Sequence, residues 1–151
     1  MPELLQIDGF EITEQVYESP HSLIFKTRAV NGGPPVLLKV LKADSPSPTE
    51  IVRFHQEYQI ARRIDSPYVA RVLGLINQGQ SVALSVEDIG AQSLSAWLEQ
   101  DPPSIMEGLE IAIAVCRGLR DIHQQSVAHK DISSSNVVWN RQTTFELLIS
   151  L

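Results

Sequence analysis

Lys39 stands in the run Val36-Leu37-Leu38-Lys39-Val40-Leu41, where strand alternation points it to the same face as Leu37 and Leu41. Taken alone, such a lysine is accounted for by an aliphatic stem lying along a sheet edge with its ammonium in water. Glu57 changes that reading. It falls inside an apolar helical stripe of Ile51, Phe54, Tyr58 and Ala61, and a buried charge left without its partner costs about 3 to 5 kcal/mol. Lys39 and Glu57 are therefore expected to pair, and a lysine held by a carboxylate is placed to meet phosphate oxygens. A second constellation is His129-Lys130-Asp131-Ile132-Ser133-Ser134-Ser135-Asn136. The pattern H-x-D-x4-N arises by chance in about 2% of chains this long. It is either a polar loop whose Asp and Asn cap turns, or a carboxylate that accepts a hydroxyl proton with an amide oxygen nearby for a metal ion.

These residues need a frame. The chain has 151 residues, 43% hydrophobic and 20% charged, a composition that buries a core and excludes collagen, coiled coil and disordered stalks. Twelve Lys and Arg against eighteen Asp and Glu give a net charge of -6, the wrong sign for nucleic acid or an anionic membrane. No nucleic-acid or membrane partner is expected, and any phosphate-bearing ligand must be small and locally held. The absence of a signal-peptide pattern and of a long apolar run suggests a cytoplasmic protein. Cys116, the single cysteine, lies in Ile111-Ala112-Ile113-Ala114-Val115-Cys116 and is expected as a buried, inert thiol. His21, His55, His123 and His129 lack metal-ligand spacing.

Strand signals run through Phe10 to Val16, Leu23 to Phe25 and Val36 to Leu41, with Asn31-Gly32-Gly33-Pro34-Pro35 as a turn. Strand, turn, strand without an intervening helix favours an antiparallel meander. Ser47, Pro48 and Glu50 form a capping box that opens a helix over 48–64, and Ser66-Pro67 stops it. Val69 to Ile76 and Val82 to Val86 read as two more strands around Asn77-Gln78-Gly79-Gln80. Ser104 and Glu107 open a second helix that reaches about His123. One line of it holds Ile105, Leu109, Ala112, Cys116, Leu119 and His123, with Ile111, Val115 and Ile122 beside it. That apolar arc covers about 200° of the wheel, twice what one core requires.

In order, Val36-Leu37-Leu38-Lys39, Glu57, Ser66-Pro67-Tyr68-Val69, Val86-Glu87-Asp88, His123 through Asp131, and Asn136 resemble the protein kinase family over about residues 10–151. In detail the chain is similar to the kinase-type N-terminal domains of large bacterial multi-sensor signalling proteins, whose catalytic loop also begins H-K-D-I. The resemblance implies an α+β fold: a five-stranded antiparallel small lobe with one helix and a hinge over 1–90, then a partial large lobe over 91–151. It implies ATP and Mg2+ as cofactors and serine/threonine phosphoryl transfer in signal transduction among intact relatives. Lys39 would contact the α- and β-phosphates and Glu57 would orient it. Ile24, Leu37 and Val138 would wall the adenine, Val86 would be the gatekeeper, and Glu87, Asp88 and Ile89 the hinge. Asp131 would be the catalytic base and Asn136 a Mg2+ ligand.

The departures from the family pattern are equally specific. The glycine-rich phosphate loop is replaced by Tyr17-Glu18-Ser19-Pro20-His21-Ser22-Leu23-Ile24, without a glycine. Serine hydroxyls could substitute in part for the freed backbone. Ser133 and Ser135 stand where serine/threonine and tyrosine kinases carry Lys and Arg. The second metal-binding Asp, expected after the strand Phe145 to Ile149, would fall at Ser150-Leu151. The expectation is a truncated kinase domain without phosphoryl transfer of its own. The alternatives are a pseudokinase-like module that binds a signalling partner, or a small-molecule kinase of the aminoglycoside or choline type. Exposed Ile111, Val115 and Ile122 would favour self-association.

Overall fold

A computed structural model describes residues 7–42, 46–142 and 144–147 of the chain. The chain divides into two units, Met1–Arg62 with Val72–Asp88 and Arg63–Arg71 with Ile89–Leu151. The boundary expected after residue 90 thus falls after residue 88, and residues 63–71 group with the second unit. The site expected at Ser150-Leu151 lies outside the described residues.

The first unit holds strands β1 (Phe10–Glu18), β2 (Ser22–Ala29), β3 (Val36–Leu41), β4 (Val72–Gln78) and β5 (Ser81–Glu87), with helix α1 (Pro48–Ala61) between β3 and β4. The strands form one sheet in the order β1-β2-β3-β5-β4, antiparallel throughout. Alternation sorts the side chains into two cores. Phe25, Val36, Leu38, Val40 and Ala83 meet Ile7 on one face, and Leu41, Val82 and Leu84 meet Phe54 of α1 on the other. The capping box of α1 is present: Ser47 Oγ accepts from the Glu50 amide, and Glu50 accepts from the Ser47 amide in return. The helix ends at Ala61 rather than 64 because Ile64 belongs to the other unit's core and Pro67 restricts the residue before it. β4 accordingly starts at Val72, not Val69, since Val69 is buried in that same second core.

The second unit holds β6 (Gln92–Ser93), α2 (Leu94–Gln100), α3 (Ile105–Gln124), β7 (Val137–Asn140) and β8 (Thr144–Leu147). The strands form a small sheet in the order β6-β7-β8. Helix α2 was not legible in the sequence; Ser93 caps it by accepting from the Ala96 amide. α3 starts on its capping box, Ser104 with Glu107. It ends in a Schellman motif in which Val127 N–H bonds Ile122 O (3.1 Å) and Ser126 N–H bonds His123 O (3.0 Å). Ser126 sits at the left-handed position, φ 59°, where glycine is the usual residue.

Of the two apolar lines on α3, the expected exposure is inverted. Ile111, Ala114, Gly118 and Ile122 are buried, and Ile111 and Ile122 join Val69, Val137 and Trp139 in the core, with Val115 half-buried against them. Ile105, Met106, Leu109 and Ile113 are exposed instead, as is Cys116, which was expected to be buried. Gly118 decides the choice of face. A Cβ there would stand 3.2 Å from Tyr68 O and 3.3 Å from Tyr68 Cβ, so the bare helix surface lets the segment 63–71 approach without its neighbours having to give. That segment is fixed further by Ser66 Oγ donating to Asp121 Oδ2 (2.7 Å) and Arg117 Nη1 donating to Tyr68 Oη (3.1 Å).

Arg141 closes the second unit from the β7–β8 turn. It donates to Glu107 (2.9 Å from Nε), pairs with Asp101, and lies 4.9 Å from the ring centroids of both Trp97 and Trp139. Among the described residues no helix is long and apolar enough to cross a membrane.

Candidate functional site

Strand pairing places Ile24 opposite Lys39, and Lys39 opposite Leu84 and Leu37 opposite Val86. Directly opposed residues share a face. Ile24, Leu37, Lys39 and Val86 therefore line the sheet face on which Phe54 packs against Leu41 and Leu84. The helix contributes Glu57 from its buried side, in line with Phe54 and Ala61. Lys39 Nζ and Glu57 Oε1 form a hydrogen-bonded ion pair, with side chains 15% and 9% exposed. The ammonium also lies 5.8 Å from the Phe54 ring centroid. Glu57 is buried and Lys39 half-buried, so the pair fixes the geometry of strand and helix together. Glu87 closes β5 opposite Val36 and is exposed, with Asp88 half-buried after it.

The second unit holds the other candidates. Ile89 is half-buried, and its carbonyl accepts from Asn140 Nδ2 (2.8 Å), a partner the sequence did not reveal. Val138 is buried in β7, on the opposite side from Val137 and Trp139. Asp131 is exposed yet held by three hydrogen bonds to two residues. Its amide donates to Nδ1 of buried His129 (3.3 Å), and Asn136 Nδ2 donates to both its carbonyl oxygen and its Oδ2 (2.9 Å each). Asn136 is set by its own amide, which donates to Ser133 O (3.0 Å), and the loop is tied to α2 through Ser95 N–H on Ser134 O (3.0 Å). The result is a positioned carboxylate at the surface of a loop, with its neighbouring amide group oriented by it. That arrangement suits a proton acceptor for a hydroxyl. Among the described residues no group of three or more His, Cys, Asp or Glu could hold a metal ion.

The β1–β2 turn differs from the expectation that its serines could serve phosphate. Ser19 Oγ accepts from the amides of His21 (3.2 Å) and Ser22 (2.9 Å). Its proton has two acceptors in reach, Ser22 O at 3.2 Å and Ser22 Oγ at 3.0 Å. The spacing Ser-Pro-x-Ser was the signal available in the sequence: a hydroxyl that bonds the backbone two and three residues on.

A protein kinase domain family model matches residues 11–149. The chain is 28% identical over 140 residues to the dual specificity testis-specific protein kinase 1 of Homo sapiens, covering 92% of this chain and 22% of that protein. It is 31% identical over 110 residues to the serine/threonine-protein kinase PkaB of Streptomyces coelicolor, covering 72% of this chain and 26% of that protein. The kinase domain of Mycobacterium tuberculosis PknI has the same fold, with a TM-score of 0.76 at 20% identity, over 96% of this chain and 60% of that one. The chain thus spans about a quarter or less of these two curated relatives.

Proposed function

The chain belongs to the protein kinase family, and from that premise we propose that it binds ATP through the pairing of Lys39 with Glu57. The observation that carries this reading is a half-buried lysine paired with a buried carboxylate on the face that also bears Ile24, Leu37 and Val86. Glu57 keeps the ammonium aimed, so that Lys39 can meet phosphate oxygens without searching rotamers. The apolar neighbours suit an aromatic base, and Glu87 and Asp88 are the further contacts on this unit in this reading. In the second unit Asp131 accepts the proton of an acceptor hydroxyl, and Asn136 holds its carboxylate in place.

Mg2+ bound with the nucleotide would supply charge neutralisation at the phosphates. Asn136 fits it only as one oxygen ligand among phosphate oxygens and waters, the arrangement Mg2+ ordinarily takes. Asn136 is the one metal ligand this reading names among the described residues, and the chain is expected to transfer no phosphate by itself. In a complete catalytic domain the acceptor is a Ser/Thr hydroxyl of a protein, in signal transduction. Calorimetric titration with Mg-ATP tests the reading: binding that weakens at least about tenfold in Lys39→Met supports it, and equal binding by both chains contradicts it. Radiolabel transfer abolished by Asp131→Asn would contradict the expected inactivity.

A second reading is a non-catalytic module that pairs with a second copy of itself. Ile105, Leu109 and Ile113 are exposed along α3, with Glu110 and Arg117 on one flank. In an antiparallel pair of α3 helices, Glu110 of each copy faces Arg117 of the other. A monodisperse monomer by light scattering contradicts this reading.

A further inference from the structure

The β1–β2 turn invites a full account of its backbone donors, because a phosphate held by such a turn is held by N–H groups. Ser19 N–H donates to Ser22 O (2.8 Å). Pro20 has no N–H. His21 N–H and Ser22 N–H both donate to Ser19 Oγ, at 3.2 Å and 2.9 Å. Every donor from 19 to 22 is spent inside the turn.

The hydroxyl that takes them is itself saturated. An alcohol oxygen has two acceptor positions and one proton. Both positions receive amides, and the proton is donated to the carbonyl or the hydroxyl of Ser22. Ser22 is buried, and the nearby cation, Lys42, is paired with Glu18. The turn is also clamped to the neighbouring strand by Lys42 N–H on His21 O (2.8 Å). Ser19 Oγ occupies the position that a phosphate oxygen would take between two amides.

We infer that Ser19 is a specificity-determining residue that closes the turn against phosphate, so that the chain recognises the nucleoside part of its ligand and feels the phosphates only through Lys39. This rests on the nucleotide-binding reading above and goes beyond it by naming what the site favours: an adenine nucleoside whose phosphates gain only what Lys39 supplies and nothing from the β1–β2 turn. A phosphate oxygen must displace Ser19 Oγ from two hydrogen bonds to gain the same two, an exchange with no net bond formed.

Two measurements on the full chain decide this, and they fail separately. Amide hydrogen exchange of the free protein reads the turn without any ligand. The amides of His21 and Ser22 are expected to exchange at least about tenfold more slowly than unprotected amides, and to lose that protection in Ser19→Ala. Exchange at the unprotected rate in the native chain overturns the inference whatever binds. Calorimetry with adenosine and Mg-ATP reads the consequence. In Ser19→Gly, which frees the two amides, Mg-ATP affinity is expected to rise about threefold to tenfold while adenosine affinity stays unchanged. Equal gains for both ligands, or no gain for Mg-ATP, overturn it. If neither ligand binds the native chain, the nucleotide-binding reading fails, and the exchange result alone supports or overturns the closed turn.

Discussion

The two candidate constellations are built on opposite physical terms. Lys39 and Glu57 are opposite charges, one half-buried and one buried, that pair with each other in the interior of the first unit. Asp131 and Asn136 are polar side chains on a loop, organised by short-range hydrogen bonds with water close by. In the first case the proposed function and stability rest on the same interaction. In the second they are separable, because an exposed loop carboxylate can change without leaving a charge stranded in the interior.

The sharpest way to break this comparison is to remove one member of each. Lys39→Ala is expected to destabilise the chain by about 3 to 5 kcal/mol, because Glu57 is left buried and unpaired. Asp131→Asn is expected to change stability by no more than about 0.5 kcal/mol. Urea denaturation of both variants checks this; similar losses would erase the distinction.

Next in size is the choice of face on α3. Ile122→Ala, which empties a fully buried position, is expected to cost about 2 to 5 kcal/mol. Leu109→Ala, on the exposed line, is expected to leave stability within about 0.5 kcal/mol. The same denaturation experiment distinguishes them, and reversed magnitudes would restore the face expected from sequence.

That reversal marks where the sequence stopped being informative. Lys39 and Glu57 were legible because each is a charge at an apolar position, an anomaly that local periodicity exposes. The capping boxes at Ser47 and Ser104 were legible because three residues suffice to specify them. On α3, two apolar lines share one helical spacing, and nothing local chooses between them. The choice is made by Gly118 against the Tyr68 backbone, a contact between positions 50 residues apart in the chain. The early end of α1 has the same origin, since Ile64 is drawn into a core formed by Val69, Ile111 and Trp139. The turn at Ser19 was misread for a different reason: residue types say which hydroxyls are available, and only geometry says that they are already used.

A smaller effect is a dependence on pH. In the second unit, hydrogen bonds from Arg141, then from the Ser104 amide and hydroxyl, hold Glu107 down to about 2 from an ordinary 4.5. A depressed carboxylate contributes stability above its unfolded value, and that contribution is lost as pH falls from about 4.5 towards 2. Asp121 shifts in the same direction through Ser66 and then Arg120. Thermal unfolding followed by tryptophan fluorescence, which reads Trp97 and Trp139 beside Arg141, is expected to lose midpoint temperature steeply over this range. The slope should flatten in Arg141→Ala; an unchanged slope would remove Arg141 as its cause.

The smallest expected change is a gain. Ser126→Gly relieves a non-glycine residue at the left-handed end of α3 and should stabilise the chain by about 0.5 to 1 kcal/mol, read by the same thermal unfolding. Asp131, five residues on, should keep its environment. A loss of stability would show that Ser126 serves the loop in a way its backbone does not reveal.

The measurement that bears most directly on the central claim is a double-mutant cycle on Mg-ATP affinity with Lys39→Met, Glu57→Gln and the combined variant. If Glu57 acts by orienting Lys39, each single variant loses at least about tenfold in affinity and the double variant loses no more than Lys39→Met alone. Losses that simply add, or affinities that do not move, would show that the buried pair holds the fold together without serving a nucleotide.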